Sequence, residues 1–233
     1  MSTKFLKQKW DSLCDNTVRN YGSGDHLERI FSMAWETIVE KYSEPHRYYH
    51  TLAHLESLYF HAQKYGYAEL SIIESFDTVT LEFALFFHDI VYDTSPPLSA
   101  KNEKLSFDLF KEYFGPHLPP DLVSTVGVFI MATKSHHSAE SREDLNFFLD
   151  LDLSILGAER EAYKQYAMQI RKEYESIPAD IYCRERAKIL RKISESDIYR
   201  FPQIKDQIEG LAHANIEWEC NILETGRLVD IND

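Results

Sequence analysis

Residues 81–92, LEFALFFHDIVY, make up an apolar run that only a protein interior can accommodate. Taken as the later part of a helix over 71–92, the run would be buried nearly all round, so the remaining segments must be arranged to cover it. It also carries His88 and Asp89 inside with it. Desolvating a lone carboxylate is so costly that a buried aspartate is paired, protonated or bound to a metal. A divalent cation would satisfy both neighbours at once.

The rest of the chain offers the cover in one form. Phe5, Leu6, Trp10, Leu13, Cys14 and Val18 recur at helical spacing over 4–21, and Leu27, Ile30, Phe31, Ala34, Trp35, Ile38 and Val39 do so over 25–43, with Asp25 as a cap. Glu44-Pro45 breaks that pattern; Leu52, Leu55, Leu58 and Tyr59 resume it over 48–64, and Gly66 closes it. A loop at 93–99 contains Pro96-Pro97. Further helices are expected at about 99–114, 120–134, 141–150, 158–175, 179–196 and 202–226. With only 8 Gly and 8 Pro, and no strand-period alternation or repeat, the reading is all-α. A single domain over 1–233 is expected, with the first two helices and the last one peripheral.

Apolar residues reach 44%, including 14 Phe and 14 Tyr, ample for a core, while the formal charge is −13. Such a balance argues against polymeric nucleic acid as the partner, because phosphate-tracking surfaces are basic. A small anionic substrate needs only local positive charge or a metal. Cys14, Cys183 and Cys220 form no CxxC pair, which signals neither a disulfide framework nor a thiolate zinc site. Without a signal-peptide core or an apolar run near the roughly 18 residues of a membrane helix, a soluble, cytoplasmic protein with no membrane partner is expected.

Four segments carry chemistry when taken together: Arg47–His54, His88-Asp89, Thr133–His137 and Asp150–Ser154. His50 and His54 are four apart, so on one helix both imidazoles share a face. A hydrolytic metal site needs imidazole and carboxylate donors from different elements, with an acid or base within reach. Each fragment alone is weak; the set in an all-α chain is much stronger. Ordinary readings stand beside these. Asp152 is also placed to cap a helix near 153–157, and Asn102 or Ser99 to cap the helix that holds Glu103. His136 and His137 follow a helix end, where histidine suits the dipole. His26, His46, His61, His117 and His213 are read as surface or core residues, His61 sharing a face with His54.

These motifs resemble the HD superfamily of metal-dependent phosphohydrolases. The chain looks like a branch carrying R-x-YH-x-x-x-H, FHD-x-x-Y, a later N-E, T-x-x-H and D-x-DLS-x-LG, here Arg47–His54, Phe87–Tyr92, Asn102-Glu103, Thr133–His136 and Asp150–Gly157. The resemblance covers about 45–200 as an HD core, within an HD-type helical bundle. The first motif is also similar to the YHN-x-x-H segment of cyclic-nucleotide phosphodiesterases, with Thr51 in place of the asparagine.

What the resemblance implies is specific. His54, His88, Asp89 and Asp152 match the metal ligands, and only the family match chooses Asp152 over Asp150. His50 matches the residue that protonates the leaving oxygen, and Asp89 is the second catalytic residue, as base. Arg47, Glu103, Lys134, His136 and Asp150 are candidates for contacting substrate or orienting a neighbour. The cofactor would be one or two divalent ions, Mn, Fe, Co, Ni, Zn or Mg. The activity would be hydrolysis of a phosphate ester or anhydride in a small metabolite or nucleotide. The alternative is a metal-containing, nucleotide-sensing module without useful turnover. A base-stacking partner would come from Tyr48, Tyr49, Phe86, Phe87 or Tyr92, although core roles suit these residues. A homodimer is a further expectation.

Overall fold

Helical spacing becomes helix along the whole chain, and no strand occurs among the described residues, so the protein is all-α. The structure, a computed structural model, describes residues 2–21, 25–70, 76–96, 98–136 and 142–230. His137, Pro97, the stretch 71–75, residue 141 and the capping side chain expected of Asp25 lie outside the described residues. Contacts divide the chain into two compact units, 1–149 and 150–233.

The first unit contains α1 (Ser2–Tyr21), α2 (Asp25–Lys41), α3 (Leu52–Lys64), the short α4 (Tyr67–Leu70), α5 (Thr78–Phe87), α6 (Asn102–Phe114), α7 (Pro120–Ala132) and all but the last turn of α8 (Glu143–Asp152). Its centre is α5, where eight of ten residues are buried. Around it, Trp10 of α1 lies 4.9 Å from the rings of both Phe31 (α2) and Phe86 (α5), and Phe114 of α6 lies 4.9 Å from Phe31 and Phe83. Edge-on and tilted pairs of this kind add to what burial of large rings already contributes. The first two helices thus contribute large rings to the core of this unit. Gly127 in α7 lets α6 come close: a Cβ there would stand 2.6 Å from the Phe107 ring. Gly66 follows α3 at φ +91°, the left-handed conformation that glycine adopts without strain.

The second unit holds a 3-10 turn at Leu153–Gly157, α9 (Arg160–Glu173), α10 (Ala179–Ile193) and α11 (Pro202–Leu223). The turn sits directly on α11, where Asn215 Nδ2 donates to the carbonyls of Leu156 and Ala158, both at 2.8 Å. α11 buries Ile204, Ile208, Ala212 and Ile216 in this unit. A buried ion pair joins α10 to α11, Arg186 Nε to Glu219 Oε1 at 2.9 Å, with the Tyr163 hydroxyl donating to Glu219 Oε2. The three cysteines are free. No helix among the described residues is long and apolar enough to cross a membrane.

Candidate metal centre

Helix α5 stops at Phe87, five residues short of the end expected for the 71–92 helix, and its beginning is set by Asp77, whose Oδ1 accepts from Thr80 N at 3.0 Å. The early stop has a physical cause. Carbonyls at a helix end need donors, and here the backbone and ring of His88 and one side chain from elsewhere provide them. His88 N takes Ala84 O, His88 Nδ1 takes Leu85 O at 3.1 Å, and the Tyr42 hydroxyl takes Phe86 O at 3.2 Å. Past the end, Arg47 donates to Asp89 O (2.7 Å) and Ile90 O (2.9 Å), and His46 Nε2 to Tyr92 O (2.9 Å). On the far side, Ser106 Oγ accepts from Val91 N at 3.1 Å, and the Asn102 amide exchanges hydrogen bonds with both backbone groups of Asp93. Asn102 thus clamps the loop instead of capping α6, which has no side-chain cap. Segment 88–93 is hung from side chains, and that arrangement releases it from the helix and aims His88 and Asp89.

Those two residues converge with a third. His88 is fully buried, and its Nε2 lies 3.2 Å from His54 Nε2 and 3.2 Å from Asp89 Oδ2. Because His88 Nδ1 faces a carbonyl, it carries the proton in the neutral imidazole, which leaves a lone pair on Nε2. A lone pair aimed at a carboxylate and a second imidazole is repulsive unless a proton or a cation lies among them. With Asp152, the last residue of α8, the set becomes four: His54, His88, Asp89 and Asp152 each offer one ligand atom, all within 4.8 Å of one another. A group of two buried imidazoles and two partly exposed carboxylates is able to chelate a divalent ion. The donor chemistry fits the implied metal. Asp152 makes no capping hydrogen bond to the following 3-10 turn, so the ordinary reading of that residue does not hold.

His50 approaches the same carboxylate from another direction. Helix α3 begins at Leu52, with Thr51 Oγ1 accepting from Ala53 N as its N-cap, so His50 lies in the preceding loop and not on a helix with His54. The two rings are still neighbours at 5.6 Å, and His50 Nε2 stands 3.7 Å from Asp89 Oδ2. Tyr92 lies against the His50 ring at 4.3 Å and Tyr49 at 5.0 Å. Phe86 and Phe87 are core residues with no exposure, while Tyr48 is exposed.

The other candidates fall in distinct places. Arg47 has no exposed side-chain surface; its guanidinium binds Glu44 and three backbone carbonyls and stacks on Tyr42 and Tyr92, so it faces no solvent phosphate. Glu103 and Lys134 form an ion pair at 3.8 Å, and Lys134, half exposed, also donates to Ala100 O. His136 stands in the turn after α7 at φ +48°, outside the four-residue group. Asp150 is buried and accepts from the backbone N–H groups of Arg200 and Phe201 just before α11. Burial pushes its carboxyl up to about 7 against those two hydrogen bonds. His61, on the α3 face it shares with His54, is not in the group; burial, Lys64 and His54 push it down to about 4. Tyr42, His46 and Ser106 were not singled out by the sequence for this loop, though Ser106 stands four residues from Asn102 on one face of α6.

Compared with protein-family models, curated proteins and solved structures, the chain finds no match.

Proposed function

We propose that this chain is a metal-dependent phosphohydrolase that cleaves a phosphate ester or anhydride in a small metabolite or nucleotide. The observation that carries the reading is the convergence of two imidazoles and two carboxylates within 4.8 Å, with a third imidazole 3.7 Å from one of the carboxylates. The first four residues, His54, His88, Asp89 and Asp152, hold one or two divalent ions of the Mn, Fe, Co, Ni, Zn or Mg class. When bound, the ion supplies Lewis acidity that polarises a phosphoryl oxygen and acidifies water.

The chain's own residues handle protons. Water attacks phosphorus and gives its proton to Asp89 while the bond to the leaving oxygen breaks, and His50 as imidazolium protonates that oxygen. Transfer from Asp89 back to His50 restores both groups, so one water is consumed per turnover. Lys134 and Glu103 are the polar pair assigned to the substrate. Tyr92 and Tyr49, beside His50, are the aromatic surfaces a nucleobase would meet.

Phosphate release from a panel of nucleotides and sugar phosphates, with Mn²⁺ or with a chelator, tests the reading. Metal-dependent release that disappears in His54→Ala and Asp89→Ala is expected. Full activity in both variants would overturn the site assignment. Tight nucleotide binding with no turnover under any divalent ion would replace hydrolysis with sensing. Within the same assay, His50→Gln should lower kcat by roughly 10²–10⁴ and leave cation affinity unchanged. Loss of cation binding in that variant would remove His50 from the role of acid.

A further inference from the structure

Arg47, beside the candidate centre, has no exposed side-chain surface, yet among the described residues it pairs with one carboxylate, that of Glu44. Its other hydrogen bonds among the described residues all go to backbone. One nitrogen, NH1, donates both to His50 O at 3.1 Å and to Asp89 O at 2.7 Å, and NH2 donates to Ile90 O at 2.9 Å. A single planar group therefore ties together two loops distant in sequence, one bearing His50 and the other bearing Asp89. Tyr42 and Tyr92 cover its faces, with ring centroids 5.0 and 5.4 Å from its central carbon.

We infer that Arg47 is a positioning residue: it holds the Asp89 segment so that the centre is ready to take a divalent ion, and through the same guanidinium it sets the separation of Asp89 from His50. The inference rests on the phosphohydrolase reading for the role of His50, but its consequence for ion binding does not need turnover. The planar fork is what the task demands. It offers five N–H donors in fixed directions, while a lysine ammonium is a point charge on a flexible stem and cannot span three carbonyls and a carboxylate at once. Neighbours that orient ligands without touching the ion commonly change affinity by roughly 10–100-fold when replaced.

The experiment is titration of Co²⁺ alone into wild type, Arg47→Lys, Glu44→Gln and Phe31→Leu, with affinity and the visible absorption bands of the bound ion as readouts. Phe31 lies in the core between Trp10 and Phe114, so its variant reports plain loss of stability. In Arg47→Lys, Co²⁺ affinity should fall by roughly tenfold or more and the absorption bands should shift, as an altered ligand geometry requires. Glu44→Gln removes only the outer anchor of the guanidinium and should show a smaller change in the same direction. Phe31→Leu should lower Tm with affinity and spectrum intact. If Arg47→Lys folds and binds Co²⁺ as wild type does, or shifts no more than Phe31→Leu, the inference is wrong. Should Arg47→Lys fail to fold, Glu44→Gln decides, and wild-type affinity and spectrum there overturn it. Failure of the wild-type chain to bind any Co²⁺ would instead defeat the metal reading, a separate result.

Discussion

At the scale of single residues, the chain hides its most useful polar groups behind others. The sequence displays His54, His88 and Asp89 as donors because imidazoles and carboxylates in apolar surroundings are conspicuous, whereas the resemblance alone chose Asp152 over Asp150. Arg47 was equally conspicuous, but its charge suggested a phosphate, whereas the structure turns it onto carbonyls. No local pattern distinguishes those two uses of an arginine; the difference lies in which backbone happens to face it after folding. His61 gives a residue-scale test of burial. Its pKa is pushed down to about 4 in the fold and stands near 6.5 unfolded, so between these values the unfolded chain binds more protons. Stability from this residue is therefore present above about 6.5 and is lost as pH falls toward 4. His61→Gln should narrow the stability difference between pH 7.5 and pH 4.5 by roughly 1–3 kcal/mol relative to wild type, measured by denaturant unfolding. An unchanged difference would show that His61 charges freely in the folded protein.

At the scale of elements, type was legible and ends were not. Helical periodicity identifies α1, α2, α9, α10 and α11 because each needs one apolar face and has one. The long helix expected over 71–92 failed at its end, since nothing in LEFALFFHDIVY breaks a helix locally. Tyr42 ends it from outside by taking a carbonyl of its last turn, and Arg47, Ser106 and Asn102 do so by taking up the polar backbone of the following segment. The first motif misled in the opposite way: Thr51 begins α3 as its cap, so His50 precedes the helix on which the spacing had placed it. Close contact between elements sets a further expectation. Replacing a mid-helix glycine by alanine ordinarily helps a helix by about 1 kcal/mol. Gly127→Ala should instead destabilise by roughly 1–3 kcal/mol, because the new methyl meets the Phe107 ring and forces α6 and α7 apart. A raised denaturant midpoint in that variant would mean that Phe107 moves aside without cost.

For the whole molecule, composition was informative about class and silent about chemistry. A chain of 233 residues with 44% apolar content and few glycines and prolines points to a helical protein, and the fold is all-α. The expected metal ligands, by contrast, came from motif order, not from composition. Ion binding and folding are linked through mass action. A divalent ion at about 100 times its Kd should add about 2.7 kcal/mol and raise Tm by roughly 5–10 °C, with a chelator reversing the shift. A Tm indifferent to both ion and chelator would argue that the four donors hold nothing. Helix α5, with eight of ten residues buried, gives this linkage a particular character. His88 and Asp89 follow directly on this buried helix, so warming should leave these two donors in place for as long as the core of the first unit holds. Ion affinity should change little across the native temperature range and then vanish within the unfolding transition. For those two donors the core would act as a fuse, parting them only when it melts.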